Sequence, residues 1–205
     1  MMLYIYDSLQ LKKLGYSADQ PIAEEVVWFD LYNPSEEEEK AVEAFLHIDI
    51  PTREEMNEIE LSSALYQDNG AVYMTFKMVT NAETFEPETQ ACTCVIAGDR
   101  LVTIRYSEPK PFAQFIAKAE KLPAYAHTGQ ELFVGLIDSI IARLADILEY
   151  MGNDLNAITR SIFKSRGESE PKPNYQRVLE QIGQKGDLGS KIRESLMTLD
   201  RTISY

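Results

Sequence analysis

The chain has 205 residues, 44% of them hydrophobic and 26% charged, which is ordinary for a globular protein and enough for one sizeable core with an appended helical arm. Its net charge of −13 is unevenly placed: residues 1–120 carry 9 basic and 22 acidic side chains, and residues 121–205 carry 11 of each. Such a first half repels nucleic acid and anionic lipid and attracts cations, which argues against nucleic acid and for a cation partner, or simply for solubility.

The N-terminus is too evenly polar for a signal peptide, and no run approaches the ~18 apolar residues of a membrane-spanning helix. Leu3-Tyr4-Ile5-Tyr6 and Val26-Val27-Trp28-Phe29-Asp30-Leu31 read as extended segments within residues 1–32. Asn33-Pro34-Ser35-Glu36 opens a helix, with Asn33 as cap and Glu36 closing a capping box. Its apolar face is Val42, Phe45 and Leu46. Thr52-Arg53-Glu54-Glu55 is a second capping box, starting a short acidic helix through about Leu61. The run 36–60 holds ten acids and two basic residues.

Two hairpins follow. Ser63 to Gln67 and Ala71 to Val79 flank Asp68-Asn69-Gly70, and Gln90 to Ala97 and Arg100 to Tyr106 flank Gly98-Asp99. Cys92 and Cys94 stand two apart in one of these strands, where side chains point the same way but do not bridge, which fits a reducing compartment. Zinc would need four ligands, and the two histidines, His47 and His127, are distant in sequence. Pro109 and Pro111 precede a helix running to about Lys121.

After Pro123 the pattern becomes long-helical. Thr128-Gly129-Gln130-Glu131 is a third capping box, and a helix runs from it to about Lys164. Its apolar positions, from Phe133 through Ile137, Ile140, Leu144 and Ile147 to Met151 and on to Ile162, make a coiled-coil-like seam that Asp138 interrupts. Gly167 through Pro173 breaks the helix. A second one follows with Val178, Ile182, Ile192, Leu196, Leu199 and Ile203 on one heptad frame. Gly183, Gly186 and Gly189 weaken it by roughly 1 kcal/mol each relative to alanine. The seam still runs at Ile203 with no stop signal before Tyr205, as though the helix continues.

Several segments, in order, carry a resemblance: Val27-Trp28-Phe29-Asp30-Leu31-Tyr32-Asn33-Pro34, Ile50-Pro51-Thr52-Arg53-Glu54-Glu55-Met56, Glu58-Ile59-Glu60, Ser62-Ser63-Ala64-Leu65-Tyr66, Thr75-Phe76-Lys77-Met78, Leu101-Val102-Thr103-Ile104-Arg105 and Leu136-Ile137-Asp138. Together they resemble the CorA family of magnesium transporters and its ZntB zinc-transporting relatives. Ala64, where many members have arginine, is a departure. The Gly-Met-Asn signature of the first membrane helix is absent.

The resemblance implies an α/β/α sandwich with a mixed sheet, residues 1–122, followed by long helices forming a funnel or stalk arm, residues 123–205. It implies a cytosolic domain that gates a pore in the inner or plasma membrane, in a homo-oligomer that is pentameric at full length. The implied ligand is regulatory Mg2+ held between subunits, with Co2+ or Zn2+ as further candidates. Glu54 and Glu55 match an acidic pair facing the neighbouring subunit, and Asp138 an acid at a second interface site. The other acids of both sites would lie beyond Tyr205. A ZntB-like zinc transporter domain and a stand-alone acidic cation-binding module are the alternatives. Enzymatic motifs are lacking: there is no G-x-G-x-x-G, P-loop, H-E-x-x-H or G-x-S-x-G. A carboxylate hydrolase stays open in principle, although no two acids are specifically paired.

Overall fold

The computed structural model describes residues 1–7, 10–16, 20–60, 63–121, 128–164 and 174–203. The expected domain junction near Pro123, the break from Gly167 to Pro173, and Tyr205 lie outside the described residues.

Among the described residues seven strands form one sheet in the order β2-β1-β3-β7-β6-β5-β4. They are β1 (Met2–Asp7), β2 (Gln10–Gly15), β3 (Val26–Tyr32), β4 (Leu65–Asp68), β5 (Ala71–Thr80), β6 (Glu88–Ala97) and β7 (Arg100–Arg105). β3 and β7 are parallel; the neighbouring pairs on either side are antiparallel, so the sheet is mixed. Both expected hairpins form, because their turn residues accept the required backbone. Asn69 and Gly70 have φ of 48° and 79°, the paired positive values of a tight two-residue hairpin, and Gly98 has φ of 60°. β2 went unnamed in the sequence because it is a short edge strand: Leu11 is buried while Lys12 and Lys13 are exposed, lysines being a common guard on a sheet edge.

Helices cover both faces. α1 (Glu36–Leu46) and α2 (Arg53–Glu58) bury Val42 and Met56 with Phe29, Leu31, Val102 and Ile104. α3 (Lys110–Ala119), α4 (Gly129–Lys164) and α5 (Tyr175–Ile203) bury Phe112, Phe115, Leu136 and Ile192 with Trp28 and Phe76. Alternation along β7 divides these cores, with Leu101 on the second and Val102 and Ile104 on the first. The result is the expected α/β/α sandwich.

α1 starts two residues later than the sequence pattern implies. Asn33 takes a positive φ of 44° and donates its amide to the Arg105 carbonyl (3.0 Å), which finishes β3 against β7. Ser35 is therefore the cap: its Oγ accepts from Glu38 N (3.3 Å) and its N–H donates to Glu38 Oε2 (3.1 Å). The box at Thr52 and Glu55 forms as read, although α2 ends at Glu58. The box at Thr128 and Glu131 forms too. Gly129 has a reason the sequence did not announce. A Cβ there would sit 2.3 Å from the Arg100 backbone carbon, because the start of α4 abuts the β6–β7 turn.

α4's seam is buried from Phe133 to Ile147 and half-buried from Met151 onward. α5 departs from the expected frame. Its buried positions are Leu188, Ile192, Ser195, Thr198, Leu199 and Thr202, whereas Leu196 and Ile203 are exposed. The reason is the edge of β5. β4 pairs with β5 only from Ala71 to Met74, so the Lys77 N–H finds no strand on that side. It donates instead to Thr198 Oγ1 of α5 (2.9 Å), while Lys77 Nζ meets Glu194 at 2.7 Å. A helix covering an open edge needs hydroxyls on its inner face, and these pull the buried stripe off the apolar frame.

At the centre lies a buried ion pair. Arg105 donates through Nε and Nη2 to the two carboxylate oxygens of Asp30, at 2.9 and 2.8 Å. Thr103 Oγ1 donates to Asp30 (2.9 Å) and accepts from the Trp28 indole (3.0 Å). The guanidinium is sandwiched between the Tyr32 and Phe112 rings, 4.6 and 4.7 Å from their centroids. Burial disfavours the Arg105 charge, but the Asp30 hydrogen bonds and charge outweigh it and hold the guanidinium above its ordinary pKa. Asp30→Ala leaves that cation buried without its partner and is expected to cost about 3–5 kcal/mol, read as a lower urea midpoint. Wild-type stability in this variant would show that the pair does not hold β3 to β7.

Candidate divalent-cation site

The acids of residues 36–60 divide into those that serve the fold locally and those that face outward. In α1, Glu38 closes the Ser35 box and also meets the Met1 ammonium group. Glu36 pairs with Lys40 one turn on (3.4 Å), and Glu43 accepts from the Ile50 amide (3.0 Å). Burial, then the neighbouring charges of Glu43, Glu36 and Glu38, push the Glu39 carboxyl up. Four acids at the positive end of a helix dipole are thus an N-terminal charge complement, with mutual repulsion felt at Glu39.

α2 presents Glu54 and Glu55, both exposed. Glu55 is already engaged: its Oε2 accepts from the Thr52 amide (2.8 Å) and hydroxyl (2.9 Å). These bonds stabilise the ionised form and hold its pKa below the usual carboxylate value. Beside it opens a groove of about 810 Å3 that also holds Asp49, Asp68, Tyr66 and Tyr73. The two tyrosine rings stack at 4.6 Å, and Tyr73 Oη accepts from the Asp49 amide (3.2 Å). Burial raises the Tyr66 pKa to about 12, aided by Tyr73 and by the charges of Glu55, Asp68 and Asp49. Asp49 and Asp68 were not among the candidates from sequence. They come from a loop and a hairpin end, and only the fold brings them beside Glu55.

Asp138 lies on α4, on the opposite face of the sheet from α2. Its side chain is 68% exposed and 3.9 Å from Lys118 Nζ, a loose surface pair. One chain therefore does not bring Glu54, Glu55 and Asp138 together. Among the described residues no three His, Cys, Asp or Glu side chains converge to hold a metal. Exposed carboxylates held one or two at a time fit Mg2+, a hard ion that takes oxygen ligands and keeps several waters. They do not fit zinc in a closed four-ligand site. Cys92 and Cys94 are free and fully buried in the core under α3 and α4, and burial pushes the Cys94 thiol up, away from the thiolate a metal needs.

The family described as CorA-like Mg2+ transporter protein matches residues 23–204. "Magnesium transport protein CorA" of Campylobacter jejuni is 25% identical over 99% of the chain, and its Escherichia coli K12 namesake 26% identical over 96%. The chain spans 64% and 60% of the lengths of these two curated relatives. Among solved structures, the soluble domain of CorA from Methanocaldococcus jannaschii has a TM-score of 0.52 at 14% identity, covering 100% of this chain and 94% of that one. The ZntB cytoplasmic domain from Vibrio parahaemolyticus has a TM-score of 0.56 at 10% identity, covering 100% and 93%. Full-length CmaX reaches 0.60 at 11% identity, covering 100% and 74%. No helix among the described residues is long and apolar enough to cross a membrane.

The depressed Glu55 pKa fixes a sign. The stability contributed by the Thr52–Glu55 box is present above the ordinary glutamate pKa of about 4.3 and fades as pH falls through the lower folded-state value. Thr52→Ala should return the Glu55 carboxyl toward the ordinary range in an NMR titration and cost α2 about 1 kcal/mol in amide-exchange protection. An unmoved titration in that variant would show that Thr52 is not the cause.

Proposed function

The chain belongs to the CorA-like Mg2+ transporter family, and from that premise we propose that it is the cytosolic regulatory domain of a magnesium transporter. In this reading it senses internal Mg2+ through carboxylates shared between subunits and couples their occupancy to a pore formed by segments outside residues 1–205. Residues 1–122 are the α/β domain. Residues 123–205 are the helical arm toward the membrane, whose first turns share the domain's core.

The observation that carries the reading is the placement of the acids. Glu54 and Glu55 on α2 and Asp138 on α4 lie exposed on opposite faces of the sheet, and no described group of three gathers within one chain. Carboxylates so divided are suited to completion by a neighbouring copy, in a ring of subunits on the cytoplasmic side of the inner or plasma membrane. The ring size proposed is five, from the resemblance to CorA. Mg2+ needs one or two carboxylates from each side, because water fills its remaining positions.

The gating step is a population shift. Ions bridging adjacent subunits favour the closed assembly because they bind it more tightly than the open one, and their loss releases that bias. The energy available is the difference between the two affinities, not the affinity itself. Co2+ or Zn2+ can take the transported role without changing this argument.

In the intact transporter reconstituted in vesicles, Glu54→Ala with Glu55→Ala should shift the internal Mg2+ concentration that inhibits flux upward by about 5- to 150-fold, the span of typical coupling energies. Unchanged inhibition in the double variant would sink the assignment. Running the same flux assay with Mg2+, Co2+ and Zn2+ identifies the transported ion; uptake of Zn2+ alone would favour the ZntB-like reading.

A further inference from the structure

Between α2 and the last turns of α5, along the open edge of β5, lies a cavity of about 350 Å3 that the cation-sensing role does not use. Met56 and Ile59 wall it from α2, Ala64 from the approach to β4, and Met197 from α5. This volume falls in the range of about 300–1,000 Å3 in which small-molecule sites occur, and apolar walls with a few polar groups are their usual make-up. Thioether side chains on two sides allow the walls to adapt to an occupant's shape.

Three charges stand at its rim: Lys77, Arg193 and Glu194. Glu194 is engaged, taking Lys77 Nζ at 2.7 Å and the Thr89 hydroxyl at 3.2 Å. Arg193 is exposed, and its side chain makes no ion pair or hydrogen bond among the described residues. The rim therefore carries one unmatched positive charge, in a chain whose net charge is −13. A guanidinium presents a planar fork of donors that matches a carboxylate.

We infer that this cavity is a binding site for a small amphipathic carboxylate, its aliphatic body between Met56 and Met197 and its carboxylate on Arg193. The charge complementarity selects an anion, and the apolar walls select a ligand with a hydrocarbon body over a bare inorganic anion. Because the walls belong to α2 and α5, an occupant ties the two helices together, and binding raises the unfolding temperature by mass action. The site stands independently of the Mg2+ reading.

Octanoate is the probe, followed by calorimetric titration and by the unfolding temperature of the full chain, with 1-octanol as the uncharged comparison. Octanoate is expected to saturate one site and to raise the unfolding temperature. Affinity should fall by about two- to fivefold for 1-octanol and for Arg193→Gln, since each removes an ion pair at an exposed guanidinium. Met197→Trp, at a residue 48% exposed, should occupy the cavity and abolish binding while circular dichroism stays native. Arg193→Gln changes an exposed side chain, so it tests the charge even if the tryptophan variant misfolds. The proposal is overturned if octanoate does not saturate, if 1-octanol binds as tightly, or if Arg193→Gln leaves the affinity unchanged. It is overturned too if self-association of the chain closes the cavity.

Discussion

The pairing of Asp30 with Arg105 is the constraint on which the rest of this structure depends. β3 and β7 are far apart in sequence and parallel, so no hairpin turn sets their register. A buried carboxylate and a buried guanidinium with two matched hydrogen bonds do so, because any slip would strand both charges in the core. Trp28 adds to this constraint: its indole is tied through Thr103 to the same carboxylate, and its ring stacks on Tyr4 at 4.5 Å. Everything outward of this pair is antiparallel and local. β1 and β2 extend one side, β6, β5 and β4 the other, and the helices cover what those strands expose.

This explains what the resemblance to CorA was reading. Trp28, Asp30 and Asn33, with Thr103 and Arg105, fall within the segments that carry it, and all five act in joining β3 to β7. They report the fold and carry no cation chemistry of their own. The segment that holds Glu54 and Glu55 is likewise partly architectural, since Thr52 and Glu55 close a helix cap. A family likeness built from such residues identifies the scaffold securely, whereas the sensing role proposed for the acids rests on where the scaffold leaves them.

Legibility followed the range of the physics. Turns and caps depend on residues a few positions apart, so Asn69-Gly70, Thr52–Glu55 and Thr128–Glu131 could be read directly and were found. Asn33 misled because its choice between capping a helix and ending a strand was decided by the Arg105 carbonyl, a partner remote in sequence. α5 misled for the same reason: an open strand edge at Lys77 selected Thr198 over the better apolar stripe. For the candidate site, the acids themselves were visible, but their division between two faces was not. Nor was the company Asp49, Asp68 and the Tyr66–Tyr73 stack keep with Glu55. Those are long-range placements, and periodicity carries no record of them.

The polar character of the α5 contact bears on how a domain of this kind could transmit a signal. α5 is held on the β5 edge by Thr198 and Glu194, while Ser195 Oγ is buried there with no partner among the described residues. An unsatisfied buried hydroxyl costs about 1–3 kcal/mol, and three glycines in the same helix lower its intrinsic stability further. α4, by contrast, enters the core through Phe133, Ile137, Ile140, Leu144 and Ile147. The two long helices are thus differently fixed, α4 by hydrophobic burial and α5 by Leu188, Ile192 and Leu199 in the same core together with a few hydrogen bonds along a glycine-weakened helix. Under the proposed gating role, the polar part of the α5–β5 contact, with its unsatisfied hydroxyl, is where ion binding at the domain surface biases the helix at least cost.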